Sequence, residues 1–366
     1  MTRCVAHKFD DGVSPSLEGV REAIPKIAAR VAATPPQGYS VYKGLAGAAL
    51  ALLRVSEDEG IDADATEMYG KRALELAEAA AAMVEKPNVR VTFLEGAPGV
   101  FAVLAACRAF RGDERGGRDA VVSVLAGAPW ALDTSDMELM YGRAGYLHAL
   151  SFCLNRGILS RSFCQEEIRD VMLELPRDLF KWHGKFYLGA AHGAAGVARM
   201  LAKMGDVAGA RRLLELTDPY RLASGNVQSS TGNESDRLVH WCHGAPGFVE
   251  ARLAVGDMEG ALEAGGVVWR RGLLATKGPG LCHGIPGNGA ALLALYNATR
   301  DPTWLRRAQH FGAYAAARIA TLEQLADAPL SLFEGSAGAM TFFLDLLAVS
   351  RGGHLRSASP YFDGYL

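Results

Sequence analysis

Two Cys-His dipeptides carry the clearest chemical signal in the chain, Cys242-His243 in WCHGAPG and Cys282-His283 in LCHGIPG. Thiolate sulfur and imidazole nitrogen are ordinary zinc ligands. Two sulfurs and one nitrogen from the protein would leave a fourth tetrahedral position open, as catalytic rather than structural zinc sites do. The spacing between the pairs matches no zinc-finger signature, so a fold has to bring them together. The competing readings are inert buried thiols or a disulfide. Six cysteines in 366 residues are too sparse for a disulfide framework, and no apolar signal-peptide core follows Met1. A reducing cytoplasm is therefore expected, which disfavours the disulfide.

The elements that would position these residues are written as a repeat. Gly-x-x-Gly followed by an apolar run occurs seven times, starting at Gly44, Gly96, Gly142, Gly193, Gly244, Gly284 and Gly335, at separations of 40 to 52 residues. The segments after each copy, such as AALALL, VFAVLAA and AMTFFLDLL, are apolar around most of a helical circumference, which marks buried helices. Between the copies lie segments with a polar stripe, among them 19–33, 66–84, 163–175, 259–273 and 303–322, which predict amphipathic outer helices. Every inner helix needs a neighbour on both flanks and a partner outside, and closing the row into a ring meets that need. The expected fold is an all-α toroid, seven inner and seven outer helices in one domain covering 1–366. The first Gly is expected to permit a tight turn and the second a close approach to a neighbouring backbone.

Equivalent copies would set the residue before each first Gly on one rim: Lys43, Glu95, Tyr141, His192, His243, His283 and Glu334. All seven are polar or ionisable, as a shared cavity would require and a structural turn would not. On this rim His192 is a candidate proton donor, and Tyr141, Arg143 and His243 are candidate stabilisers of a developing oxyanion. Arg143 could instead pair with Glu95 or Glu334, and Asp236 before WCHG reads as a loop cap or structural carboxylate.

The net charge of −2 gives no reason to expect a nucleic-acid groove. The longest apolar runs, 44–53 and 290–296, fall short of the roughly 20 residues that span a bilayer, so seven hydropathic peaks do not make a seven-helix receptor.

WCHGAPG and LCHGIPGN, with ELMYGRAGYLHAL, YLGAAHGAAG and SLFEGSAG in the same order, resemble the LanC-like proteins, eukaryotic relatives of bacterial lanthionine cyclases, from Tyr39 to Leu347. The resemblance implies a zinc-containing double-ring helical barrel, with Cys242, Cys282 and His283 as the metal ligands and His192 as an acid/base. It implies glutathione as co-substrate, with Lys277 and, by a looser match, Arg3 as binding residues, and it puts Glu138 where related cyclases carry an acidic residue. Where the family tends to have Arg-x-x-Asp before SLFEG, this chain reads Gln324-Leu-Ala-Asp327, which keeps Asp327 as a binding candidate but lacks the cation that could hold a glutathione carboxylate.

The function implied is zinc-dependent addition of glutathione or a similar thiol to dehydroalanine or dehydrobutyrine in once-phosphorylated peptides or proteins. A zinc- and glutathione-binding adaptor or redox-signalling protein without turnover is the alternative. A toroidal glycoside hydrolase using Glu95, Glu138 and Glu334 would leave the cysteines idle.

Overall fold

The computed structural model describes residues 4–7, 9–84 and 90–353. Helices alternate between an outer and an inner layer along the chain. Outer α1 (Glu18–Ala33) precedes inner α2 (Leu45–Ser56), and outer α3 (Ala63–Ala82) precedes inner α4 (Ala97–Phe110). Outer α5 (Glu114–Leu125) and a short α6 (Ala128–Asp133) precede inner α7 (Arg143–Asn155), and outer α8 (Gln165–Leu173) precedes inner α9 (Ala194–Met204). The pattern continues through outer α10 (Val207–Glu215), inner α11 (Ala245–Ala254), outer α12 (Met258–Arg271) and inner α13 (Ile285–Thr299). Outer α14 (Pro302–Ala316), a short α15 (Ile319–Glu323) and inner α16 (Ser336–Ser350) complete it. The stretch 303–322, expected as one helix, is two, broken at Ala317 and Arg318.

The inner helices touch in the order α2, α4, α7, α9, α11, α13, α16 and back to α2, so the ring closes, and α1 backs α16. Among the described residues there are only isolated β-bridges and no strands. Nor does any described helix have the length and apolarity to cross a membrane.

The two layers begin their helices differently. Outer helices α3, α5, α10, α12 and α14 each start with an aspartate whose side chain accepts a first-turn N–H: Asp62, Asp113, Asp206, Asp257 and Asp301. Such caps contribute roughly 1 kcal/mol each. Inner helices start with glycine and no side-chain cap. In five of them the preceding loop folds back, and its carbonyls take the exposed N–H groups of the first turn: Leu45 on Gly38, Ala97 on Arg90, Arg143 on Asp136, Ala194 on Tyr187, Ser336 on Pro329.

That fold-back explains the repeat. In all seven copies a Cβ on either glycine would collide with the carbonyl six residues earlier, as Gly99 would with Phe93 and Gly196 with Ala190. The close approach expected of the second glycine is therefore chiefly to its own loop. Of the first glycines only Gly244 has a positive φ, +108°; the others are near extended, so crowding rather than turn geometry selects them.

Candidate metal and acid-base site

The seven loops meet in a belt of backbone hydrogen bonds formed by the residues two before each first glycine. Tyr42 N–H donates to Leu94 O at 2.8 Å, Met140 to Ala191 at 3.1 Å, and Ala191 to Cys242 at 3.4 Å. Cys242 donates to Cys282 at 3.4 Å, Cys282 to Phe333 at 2.9 Å, and Phe333 back to Tyr42 at 3.0 Å. The remaining link is made by a side chain, Thr92 Oγ1 donating to Met140 O at 2.8 Å. Every residue of this belt is buried. The next residue in each loop, from Lys43 round to Glu334, is partly or fully exposed. The predicted rim therefore exists, and its polar side chains rise from a buried floor.

Because Cys242 and Cys282 are consecutive links of the belt, residues far apart in sequence become neighbours. The ligand atoms of Cys242, Cys282 and His283 lie within 4.8 Å of one another. A tetrahedral zinc with bonds of about 2.0–2.3 Å holds its donors about 3.5–3.8 Å apart, so small side-chain adjustments suffice. The donor chemistry fits as well. Both cysteines are free thiols. Burial, and then the adjacent Cys242, push the Cys282 thiol well above its ordinary pKa, so Cys282 stays protonated unless a soft cation takes the proton's place.

The loop bearing Cys242-His243 is braced on both sides. Asn226 donates to Leu238 O at 2.9 Å and to Asp236 at 3.1 Å, and receives the Ala245 N–H at 2.9 Å. The fully buried Asn288, from LCHGIPGN, donates to Val239 O and Gly272 O at 2.9 Å each. Asp236 is structural, as expected. Burial alone would raise its pKa, but hydrogen bonds from Arg271, Ser224 and Asn226 hold the carboxyl below the usual range.

Two rim positions before His283, His192 Nδ1 meets Glu138 Oε2 at 2.9 Å. Glu138 is fully buried and also accepts the N–H groups of Met140 at 2.8 Å and Tyr141 at 2.6 Å, so it is fixed as a carboxylate acceptor. This assigns the Nδ1 proton to the shared bond and leaves Nε2 for chemistry. Trp182 stacks on the His192 ring at 4.0 Å, nearly parallel, and Tyr141 lies 5.7 Å away on centroids. Trp182 comes from an irregular loop with no repeat signal, so sequence alone did not reveal it. His243 lies 6.1 Å from His192; burial, then the charges of His192 and His283, push its pKa down to about 4. Burial first, and then nearby carboxylates, raise Tyr141 despite Arg90, whose guanidinium sits 4.0 Å over its ring.

Arg143 is a correction. Its buried guanidinium donates to Ala131 O at 3.1 Å, Leu132 O at 2.8 Å and Met137 Sδ at 2.9 Å. It pins the end of α6 and neither stabilises an oxyanion nor pairs with Glu95 or Glu334. Lys277 is half-buried and close enough to His283 for its charge to act there. Asp327 is exposed on the groove that also holds Lys43 and Glu334. Arg3 lies outside the described residues; its neighbour Cys4 bridges to Leu274, three residues before Lys277. Tyr42 went unsingled in the sequence although it shares the belt position of the two cysteines. Burial and then Cys282 and Cys242 raise its pKa well above the ordinary value, so a protonated hydroxyl faces the sulfurs.

A family model described as lanthionine synthetase C-like protein matches residues 35–352. The chain is 38% identical over 249 residues to a protein of Danio rerio named glutathione S-transferase LANCL1, a match covering 58% of this chain and 60% of that one, less than two thirds of the relative's length. It is 29% identical over 348 residues to the LanC-like protein GCL1 of Arabidopsis thaliana, covering 84% of this chain and 78% of the relative. In structure it resembles nisin cyclase with a TM-score of 0.71 at 14% identity, covering 95% of this chain and 99% of that one.

Proposed function

The chain belongs to the lanthionine synthetase C-like family, and from that premise we propose that it adds a thiol, with glutathione as the donor, to dehydroalanine or dehydrobutyrine residues in peptides or proteins. The name of the Danio rerio relative supports a thiol co-substrate. The observation that carries the reading is the meeting of Cys242, Cys282 and His283 within 4.8 Å beside a histidine held by a buried carboxylate.

Those three residues would hold a zinc ion, which when bound supplies the positive charge that brings a thiol to its reactive thiolate form near neutral pH. The chain's own groups handle the proton. His192 takes it at Nε2, while Glu138 on Nδ1 holds the ring and balances the imidazolium. As sulfur bonds to the β-carbon, the C=C electron pair moves toward the adjacent carbonyl. Tyr141, kept protonated by burial, and His243, kept neutral, would donate hydrogen bonds to the resulting enolate oxygen. His192 then returns its proton to the α-carbon. Sulfur and hydrogen have crossed one double bond, and no oxidant or reductant is consumed.

The test is mass spectrometry of a dehydrobutyrine peptide incubated with glutathione and zinc-loaded protein, beside Cys282→Ala. A thioether with the parent protein and only background with the variant is the expected result. Equal product from both would overturn the reading.

A further inference from the structure

Trp182 reaches His192 from a tight hairpin. Its N–H donates to Lys185 O at 2.9 Å and the Lys185 N–H returns to Trp182 O at 3.1 Å, with His183 and Gly184 turning the chain at φ of +46° and +77°. Positive φ at both turn residues suits a twisted ribbon of two strands. The base of the hairpin is tied to the loop 229–231, where Leu188 N–H donates to Ser229 O at 3.1 Å and Thr231 N–H to Phe186 O at 3.0 Å. Residues paired across such a ribbon carry their side chains on one face, about 5 Å apart at Cβ, so Lys185 shares the face that Trp182 lays on the His192 ring. Lys185 is exposed and makes no ion pair among the described residues. The acid nearest in sequence is spent elsewhere, Asp178 holding Arg212 at 2.8 Å. A second cation touches the same rings. Tyr141 stacks 5.9 Å from Trp182 and 5.7 Å from His192, and the half-exposed Arg90 sits 4.0 Å over Tyr141. Its carboxylate partner Glu95 stays 3.8 Å off, a long contact for an ion pair. In a chain of net charge −2, the stack around His192 is thus flanked by cations with little to neutralise them.

We propose that Arg90 and Lys185 hold acidic residues flanking the dehydroamino acid, so that the site prefers peptides whose electrophile lies in an anionic segment. The inference rests on the thiol-adding reading and names the peptide class that the reading left open. The reacting residue must come to the His192 ring, and at about 3.3 Å per residue an extended peptide crosses the stack of Tyr141 and Trp182 in a few residues. Side chains on either flank of the electrophile thus come within reach of one cation or the other. Dehydroalanine and dehydrobutyrine arise when phosphoserine and phosphothreonine lose phosphate, so a neighbouring phosphate or carboxylate is the anion such a segment offers. The guanidinium takes either oxyanion with paired N–H donors, and the ammonium adds a mobile point charge. Exposed pairs are weak and screened by salt, so the preference belongs in KM and fades as ionic strength rises.

The test compares dehydrobutyrine peptides of one length, flanked by aspartate, phosphoserine, asparagine or lysine, incubated with glutathione and the zinc-loaded protein at low and high salt. At low salt kcat/KM should be about fivefold higher for the aspartate-flanked than for the asparagine-flanked peptide, with the gain in KM, and at high salt less than about twofold higher. Lys185→Glu and Arg90→Glu should each erase the preference, and the double variant should invert it, the lysine-flanked peptide overtaking the aspartate-flanked one. Lys71→Glu, which reverses an exposed cation on α3, should leave the preference as it is. A larger gain with phosphoserine than with aspartate assigns the anion as phosphate, and equal gains assign it as charge of either kind. A parent protein that treats acidic and neutral peptides alike, or a preference that survives the double reversal, would overturn the proposal. Fluorescence anisotropy of the same peptides, labelled and without glutathione, separates binding from chemistry. An anionic preference in Kd that follows the reversals, with no thioether from any peptide, would sink the thiol-adding reading and leave the assignment of the two cations standing.

Discussion

The rim divides into two arcs built on the same loop. Tyr141, His192, His243 and His283 form an aromatic and imidazole arc next to the cysteines, whereas Glu334, Lys43 and Glu95 form a charged arc. Underneath, the two are alike: the same buried belt, the same glycines crowded by carbonyls six residues back, and, outside the two Cys-His loops, the same self-capped helix starts. They differ in how their side chains are held. His192 is locked by a carboxylate that has two backbone donors of its own and by a stacked indole. Lys43 is exposed, and Glu334 has a buried oxygen with no partner among the described residues. One arc is held by its neighbours, and the other leaves a buried acceptor and an exposed cation unpaired. The lesson is that the scaffold fixes where a side chain starts, and chemistry is assigned one residue per repeat without disturbing the ring.

The largest effect should come from unlocking the imidazole arc. His192→Ala removes the proton carrier and should lower kcat by about 10²–10⁴, with calorimetric binding of glutathione retained. Glu138→Gln should lower kcat by a smaller factor but also cost stability. An amide in place of the carboxylate turns a donor toward the N–H of Met140 or Tyr141, and an unsatisfied buried group costs about 1–3 kcal/mol. If Glu138→Gln kept both full activity and the parent Tm, the claim that this arc is held by its neighbours would fail.

The toroid was legible because its signal was repeated seven times, and a repeat survives local ambiguity. The rim followed from register alone. What escaped were features that register does not encode. The capping role of the loops depends on backbone folding back on itself, and Gly-x-x-Gly only hints at crowding. Arg143 sits one residue from a rim glycine, yet its side chain runs outward to the carbonyls of α6, since the direction of a long side chain is set by what it can reach. Trp182 lies outside the repeat altogether. Outer helices α5 and α10 were not singled out, although each carries an aspartate cap.

If the two arcs truly share one scaffold, damage to it should be indifferent to chemistry. Gly99→Ala under the charged arc and Gly196→Ala under the imidazole arc both set a Cβ against a loop carbonyl. Each should destabilise by about 2 kcal/mol, the usual scale of overpacking, read as nearly equal drops in denaturation midpoint with an unchanged m-value. A cost confined to one of the pair would mean that the loops are held differently after all.

The smallest effect, and the sharpest on the charged arc, is expected at Glu95. Burial raises its pKa, and Glu334 adds to the rise; Arg90, Lys43 and a hydrogen bond with Ser40 oppose it without cancelling it. A carboxyl whose folded pKa lies above its unfolded value contributes most below the unfolded value, and that contribution is lost as pH rises through the folded one. Near neutrality the ionised Glu95 is therefore a small burden on the fold, whereas Asp236, shifted the other way, supports it there and ceases to as pH falls. Glu95→Gln should thus raise Tm slightly at pH 7, by less than about 1 kcal/mol in stability, and should give no gain at pH 4. A loss at pH 7 would show instead that the ion pair with Arg90, 3.8 Å away, outweighs the burial, and that this arc too is locked before any ligand comes.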